Sequence, residues 1–264
     1  ATVSGPKLRV AGRMRAAITG ADLSPQVNGK RVGTWRPLDL ADGDTISFGF
    51  ARSGCRAYFA ISGGIDFPIV MGSRSVHTRS NLGGEGRALK KGDILKIGDA
   101  RLSDGSFSEI PAMEIPCYGR EWTIRVVMGP QNDYFTRRGI ETFLNSEYVI
   151  STEADRMGYR LKGPKIEHKA GPDILTDATP PGSIQVPGDG MPIVLLADGQ
   201  TTGGYSKIAG VASVDQDLLA QARPGDKVRF EKITVVEAHR LLSEQEKRIE
   251  QIRNAVGAIR HSPR

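Results

Sequence analysis

The sequence predicts a mainly β protein made of two related β-barrel-like halves followed by a C-terminal helix. Three observations carry this prediction. The chain has 32 glycines and 15 prolines among 264 residues, a turn-rich composition that suits β structure. Its apolar residues fall mostly in short runs of strand length. Three short motifs also recur in the same order in both halves, and a helical apolar stripe follows them near the C-terminus.

Runs of strand length follow one another through most of the chain, and each is bounded by a turn-forming residue. The runs are Leu8–Val10, Ala16–Thr19, Thr45–Phe50, Ala57–Ile61, Ile94–Ile97, Trp122–Met128, Tyr148–Ser151, Gly158–Leu161, Ser183–Val186, Pro192–Ala197, Ala209–Val214 and Lys227–Val236. The pairs Asn28-Gly29 and Asp42-Gly43 predict tight turns, because these residues tolerate a positive φ angle.

Two segments are predicted to be helical. Asn132–Asn145 can begin with Asn132 as an N-cap and form one or two short helices. Thr234–Ile259 carries an apolar stripe on one helical face. The stripe consists of Leu242, Ile249, Ile252, Val256 and Ile259. We expect this helix to pack on the body of the protein or against a partner. A coiled-coil dimer is the weaker alternative because the stripe is short.

An ordered internal duplication supports the division into halves. The paired segments are 4–8 with 162–166, 57–63 with 193–199, and 91–96 with 224–229. Chance recurrence of short turn motifs is the alternative, but the shared order favours two related barrel-like halves. We therefore predict a first barrel over residues 1–110, a second over 111–236, and a C-terminal helix and tail over 237–264.

Composition argues against several classes of partner. The net charge of +6 predicts a mildly basic surface, and an aromatic content of 6% gives little platform for base stacking. No apolar run approaches the ~20 residues of a membrane span. The first residues lack the basic and apolar regions of a signal peptide. We therefore expect a cytoplasmic protein that binds neither nucleic acid nor membrane.

The sequence also lacks the spacing of metal ligands and of common nucleophiles. Cys55 and Cys117 are expected to be buried free thiols, with a single disulfide as the alternative. The histidines have no metal-ligand spacing and stand at His77, His168, His239 and His261. No GxSxG elbow occurs. We therefore expect no metal site and no self-contained nucleophilic hydrolase.

A first glycine-rich loop follows a strand-like run and carries charged groups. Gly63-Gly64 lets the backbone turn sharply or approach a ligand. Asp66 can accept hydrogen bonds from loop amides, either at a ligand site or as a turn cap. Arg74 and Arg87 offer guanidinium forks to a carboxylate or phosphate, and for Arg74 an internal salt bridge is the alternative.

A second glycine-rich loop offers an amide, two hydroxyls, a phenol and a cation. These groups belong to Gln200, Thr201, Thr202, Tyr205 and Lys207. Such a set can orient a small amide, or hold a phosphate together with backbone amides. The loop has neither the P-loop pattern nor the dinucleotide-binding glycine spacing. A tight hairpin capped by threonines is the alternative.

A third segment places Asp155 next to Arg156. The pair can position a substrate or a partner, and a surface ion pair of little energetic value is the equal alternative.

Together these segments resemble the allophanate hydrolase subunit 2 family, also described as the biotin-dependent carboxyltransferase-like family. Its members include the C subunit of 5-oxoprolinase, the KipA protein and the carboxyltransferase region of urea carboxylase. The matching segments stand in the family's order and span most of the chain. They are Ser62–Asp66, Gly72–Ser75, Glu85–Arg87, Asp155–Tyr159, Gly182–Pro187 and Gln200–Lys207.

The resemblance implies two cyclophilin-like β-barrels, the first without its usual N-terminal part. It implies an allophanate hydrolase subunit 1-like partner and, in 5-oxoprolinase, a LamB/YcsF-like subunit. It also implies ATP in the complex, on this chain or on a partner, or alternatively biotin carried by a partner.

Our first functional prediction is a subunit of an ATP-dependent 5-oxoprolinase-type amidohydrolase, active only with its partner subunits on a small cyclic amide. A biotin-dependent carboxyltransferase component acting on urea or a related amide, and a non-enzymatic KipA-like regulator, are the alternatives. The predicted catalytic residues are Gln200, Thr201, Thr202, Tyr205 and Lys207. The predicted substrate-binding residues are Asp66, Arg74, Arg87, Asp155, Arg156 and Gln185.

Overall fold

A computed structural model describes residues 1–99 and 109–256. The described chain divides into two compact units, of which unit 1 contains 1–52, 57–99, 109–115 and 254–256. Unit 2 contains 53–56 and 116–253. The domain limits expected from the sequence stay a prediction.

Unit 1 is built from short strands. They are β1 (Lys7–Arg9), β2 (Met14–Asp22), β3 (Gln26–Val27), β4 (Lys30–Arg31), β5 (Pro37–Leu40), β6 (Thr45–Ser47) and β7 (Ser53–Ile61), whose first four residues belong to unit 2. One sheet has the order β1-β6-β3-β4 and the other β5-β2-β7. A small core forms where Val10, Leu40 and Ile46 become buried. The predicted strand Ile94–Ile97 is wrong, because only an isolated bridge from Ile97 to Ile65 forms there.

Unit 2 contains the remaining strands and the α-helices of the described residues, apart from the last two residues of the C-terminal helix, which belong to unit 1. Its strands are β8 (Glu121–Met128), β9 (Tyr148–Ile150), β10 (Gly158–Lys162), β11 (Asp173–Ala178), β12 (Ser183–Gln185), β13 (Ile193–Leu195), β14 (Thr202–Tyr205), β15 (Lys207–Val211) and β16 (Lys227–Lys232). Its helices are α1 (Arg137–Asn145), α2 (Ser213–Leu219) and α3 (Val235–Ala255).

Seven of these strands close into a barrel in the order β10-β13-β12-β15-β8-β16-β9. Strand β8 buries Trp122, Ile124 and Val126, the alternate residues that point to one face of a strand. β16 pairs parallel to β8 over its whole length, whereas the other barrel pairs are antiparallel. In the core, Phe143 of α1 stacks on Phe230 of β16 with ring centroids 4.6 Å apart. These features confirm the predicted mainly β fold.

The predicted helices are both present, with different ends. Within 132–145 the chain forms a 3-10 turn over Asn132–Tyr134 and then α1. Thr136 is the N-cap of α1, because its hydroxyl accepts the Gly139 N–H at 2.9 Å. Asn132 instead donates its side-chain amide to the Gly129 carbonyl at 2.7 Å. The C-terminal helix is α3, and the predicted stripe residue Ile259 lies outside the described residues.

Neither of the two cysteines forms a disulfide in the described residues, and their environments differ. Cys55 is buried and Cys117 is exposed, so the expected burial is wrong for Cys117. None of the helices within 1–99 and 109–256 is both long and apolar enough to cross a membrane.

The close approach of Gly129 to β15 leads to a stability prediction. A Cβ at this position would lie 2.3 Å from the Lys207 carbonyl oxygen and 3.0 Å from the Ala209 nitrogen, and neither backbone atom can move aside. We expect Gly129→Ala to lower the free energy of unfolding by about 1–3 kcal/mol. Urea unfolding of the purified chain measures this change.

Gly210→Ala is the matched control within β15, because a Cβ there meets no atom within 4 Å. It should change the free energy of unfolding by less than about 0.5 kcal/mol. Equal effects of the two substitutions would contradict the steric explanation.

Candidate functional site

The second glycine-rich loop connects two parts of unit 2. It leaves the barrel after β13, returns through β14, and re-enters the barrel as β15. β14 pairs with β11 in a two-stranded ribbon, with Ala178 opposite Thr202 and Asp173 opposite Tyr205. Lys207 is the first residue of β15. The loop therefore carries polar groups from the ribbon into the wall of the barrel.

A buried cation lies where the ribbon meets the barrel. The Lys207 side chain is only 5% exposed, and its Nζ lies 2.7 Å from Asp177 Oδ2. Gln131 donates its Nε2 to the same oxygen at 3.2 Å, and its Oε1 accepts the Lys207 backbone N–H at 3.3 Å. We call Lys207, Asp177 and Gln131 the lysine cluster.

The Asp177 carboxylate accepts hydrogen bonds from three sources. Besides Lys207 and Gln131, the Ala178 backbone N–H donates to Oδ1 at 2.7 Å. The hydrogen bond from Lys207 is the largest of the effects that lower the pKa of Asp177 below its usual value, followed by those from Ala178 and Gln131. The carboxylate therefore stays ionised and holds the lysine ammonium.

A row of side-chain amides accompanies the loop. Gln185 of β12 is buried and donates its Nε2 to the Tyr205 carbonyl at 3.3 Å. Gln200 donates its Nε2 to Gln185 Oε1 at 3.4 Å. The Gln200 backbone carbonyl accepts a hydrogen bond from the Thr179 hydroxyl at 2.6 Å. Gly203 leaves the space that this row needs, because a Cβ there would lie 2.6 Å from Gln185 Nε2. We call Gln185 and Gln200 the amide row.

The predicted residues of the loop other than Lys207 are accessible, and Gln200 is exposed as well. Thr201 and Thr202 are exposed, and Tyr205 is 41% exposed at the end of the ribbon. Their polar groups are thus available to a ligand, while Lys207 and Gln185 lie beneath the surface.

Asp155 and Arg156 have local partners within unit 2. Asp155 Oδ1 accepts the backbone N–H groups of Met157 at 2.8 Å and Gly158 at 3.2 Å, as a turn cap does. Arg156 forms a two-pronged ion pair with Asp198, at 2.6 and 2.9 Å. This pair ties the third segment to the start of the second loop.

The first-loop candidates are ion-paired within unit 1. Arg74 Nη1 lies 2.8 Å from Asp66 Oδ1, so the internal salt bridge considered for Arg74 does form. Arg87 forms a two-pronged pair with Asp93, at 2.7 and 2.9 Å. This pairing is the largest effect that holds the pKa of Asp93 well below its usual range.

Sequence reasoning missed Gln131, Asp177 and Thr179. Gln131 directly follows the glycine and proline that come after β8, and a polar side chain at such a point is a weak signal. Asp177 lies in a strand without alternation, whose residues are nearly all exposed. Its contact with Lys207 spans thirty residues of sequence, and no local pattern reports it. Within 1–99 and 109–256, no three side chains are grouped as metal ligands.

Comparison with known proteins identifies the family. The family described as "Carboxyltransferase domain, subdomain A and B" matches residues 1–232. The chain belongs to the carboxyltransferase domain family. This confirms the resemblance drawn from the sequence motifs.

Relatives of this carboxyltransferase domain occur as separate subunits and within fused enzymes. The chain is 35% identical over 237 residues to the C subunit of 5-oxoprolinase from Escherichia coli (strain K12), covering 89% of this chain and 75% of that protein. It is 33% identical over 270 residues to urea amidolyase of Lachancea kluyveri, covering 94% of this chain and 15% of that enzyme.

A solved structure gives the same result at the level of the fold. The Kluyveromyces lactis urea carboxylase superposes with a TM-score of 0.88 and 31% sequence identity, covering 99% of this chain. The chain spans 25% of the length of that protein, and 16% of the length of the K. lactis urea amidolyase, which also superposes with a TM-score of 0.88.

The lowered pKa of Asp177 predicts how the lysine cluster responds to acid. Because the pKa is lower in the folded state, ionised Asp177 stabilises the fold above its unfolded pKa of about 4. This stabilisation is lost as the pH falls through the folded pKa. We expect Asp177→Asn to destabilise the chain at about pH 7, and the difference from wild type to shrink towards about pH 3.

Urea unfolding across this range measures the difference, with Asp173→Asn at the other end of β11 as the matched control. A difference for Asp177→Asn that does not change with pH would be inconsistent with ionisation of this carboxylate.

Proposed function

We propose that this chain is a subunit of an ATP-dependent 5-oxoprolinase-type amidohydrolase complex, which converts 5-oxoproline to glutamate. The observation that carries the proposal is that one loop connection carries both a buried cation, Lys207, and a side-chain amide, that of Gln200, which is held by Gln185. 5-Oxoproline has one carboxylate and one lactam, so its recognition requires a cation and amide-type hydrogen-bonding groups. The 35% identity to a protein of the 5-oxoprolinase complex supports this choice.

The proposed roles follow from burial and exposure. Gln200, Thr201, Thr202 and Tyr205 orient the lactam, with Gln185 holding Gln200 in place through its Oε1. Lys207 matches the negative charge of the substrate. Donors held in place before the reaction can stabilise the charge that develops on the lactam oxygen during ring opening.

ATP is proposed to bind on a partner subunit. The lysine cluster supplies a single cation, which is too little positive charge to balance a triphosphate. ATP hydrolysis would supply the free energy for ring opening. We propose an allophanate hydrolase subunit 1-like partner, with a LamB/YcsF-like third subunit, since the relative in Escherichia coli is itself named as a subunit.

The second candidate is a carboxyltransferase component that acts on urea or a related amide. It is favoured by the superposition on urea carboxylase, which covers 99% of this chain. This function requires biotin on a partner protein and places the amide row against the accepting amide nitrogen.

Glutamate formation from 5-oxoproline and ATP tests the first candidate, with the chain purified together with its native partners. We expect ATP-dependent glutamate in the wild-type complex. Gln200→Ala should reduce kcat/KM by at least about 100-fold, because it removes a positioned donor from the site.

Gln251→Ala on the exposed face of α3 is the matched control and should retain wild-type turnover. Size-exclusion chromatography verifies that both variants remain in the complex. A wild-type complex that forms no glutamate, yet transfers carboxylate from carboxybiotin to urea, would replace the first candidate by the second.

A further inference from the structure

The Asp177 carboxylate occupies a position that is built to bind a carboxylate. Three donors converge on it: the Lys207 ammonium, the Gln131 side-chain amide and the Ala178 backbone N–H. An ammonium and an amide N–H are the groups that proteins use to bind a ligand carboxylate. The first two donors belong to β15 and to the turn after β8. They therefore lie on elements other than the strand that carries Asp177.

Asp177 also separates the buried cation from solvent. The Lys207 side chain is 5% exposed, whereas that of Asp177 is 48% exposed. The carboxylate therefore forms the solvent-facing side of the ion pair. A ligand that pairs with the ammonium from this side has to displace the Asp177 carboxylate.

The strand that carries Asp177 is weakly held by its neighbours. Among the strands that the structure describes, β11 pairs with β14 alone, and the register shifts between Asp173 and Asp177, where four steps along β11 match two along β14. Such a bulge interrupts the ladder of backbone hydrogen bonds. Leu175, within the bulge, is 94% exposed and adds little packing. The middle of β11 is therefore held less firmly than its two paired ends.

We propose that Asp177 is a resident carboxylate that a small carboxylate ligand displaces, so that Lys207 and Gln131 then bind the ligand. Asp177 keeps the buried ammonium paired in the absence of ligand, and it competes with the ligand for the same donors. The choice of 5-oxoproline as that ligand rests on the proposed function.

The competition predicts an affinity that rises when Asp177 is neutralised. A ligand that must displace a resident group binds with an affinity reduced by the fraction of protein in the open state. In the complex with partner subunits, we expect Asp177→Asn to lower the KM for 5-oxoproline by about tenfold. As a control ligand we use 2-pyrrolidinone, which has the same lactam ring but no carboxylate. Its inhibition constant for the Asp177→Asn complex should stay within about twofold of that for the wild-type complex.

Asp173→Asn, on the same strand, is the control and should leave both constants unchanged. A KM that is unchanged or higher in Asp177→Asn would overturn the proposal. An equal gain in affinity for 2-pyrrolidinone would overturn it as well, because the carboxylate would then play no part in the competition.

A second measurement is independent of turnover and of the identity of the substrate. Asp177→Ser leaves room for an added carboxylate, so formate should raise the melting temperature of this chain more than chloride at equal concentration does. In the wild-type chain, formate and chloride should change the melting temperature equally at low concentration.

If formate raises the melting temperature of Asp177→Ser no more than chloride does, Lys207 and Gln131 do not form a carboxylate site. If the wild-type complex makes no glutamate but formate retains its advantage, the proposed function fails while the carboxylate exchange stands.

Discussion

A lysine ammonium removed from water needs an anion beside it, and this requirement organises the junction of the ribbon and the barrel in unit 2. An unpaired charge in the wall of the barrel would cost several kcal/mol in lost hydration. Lys207 avoids the cost because Asp177 reaches it from the ribbon. The ribbon must therefore lie against the barrel at this point, even though the backbone pairing of β11 is interrupted.

Two neighbouring features serve the same contact. Gln131 joins the two charged residues by accepting from the Lys207 backbone and donating to Asp177. Gly129 has no side chain, which lets the end of β8 come within hydrogen-bonding distance of β15, with the Gly129 N–H 2.8 Å from the Ile208 carbonyl. A backbone approach, a side-chain amide and an ion pair thus act together to fix the first residue of β15.

Part of this arrangement can be read from the sequence. Strand-length runs, glycine turns and the C-terminal apolar stripe are local patterns, and they predict the mainly β fold and α3. The polar character of the second loop is local as well, and Gln200 and Gln185 do meet. The partners of charged groups are set by tertiary contacts, which explains why sequence reasoning misses Asp177. Sequence reasoning also places the N-cap at Asn132 instead of Thr136. Both residue types are common N-caps, and the two differ only in where their side chains point.

The parallel pairing of β8 with β16 has a consequence for how the barrel assembles. β8 is the first strand of the barrel along the chain and β16 is the last, so about a hundred residues lie between two strands that must become neighbours. A ribosome has to complete nearly all of unit 2 before the barrel can close. Until then one edge of β8 stays unpaired and can bind a strand from another chain. Synthesis of the last strand is therefore the step that ends the exposure of this edge.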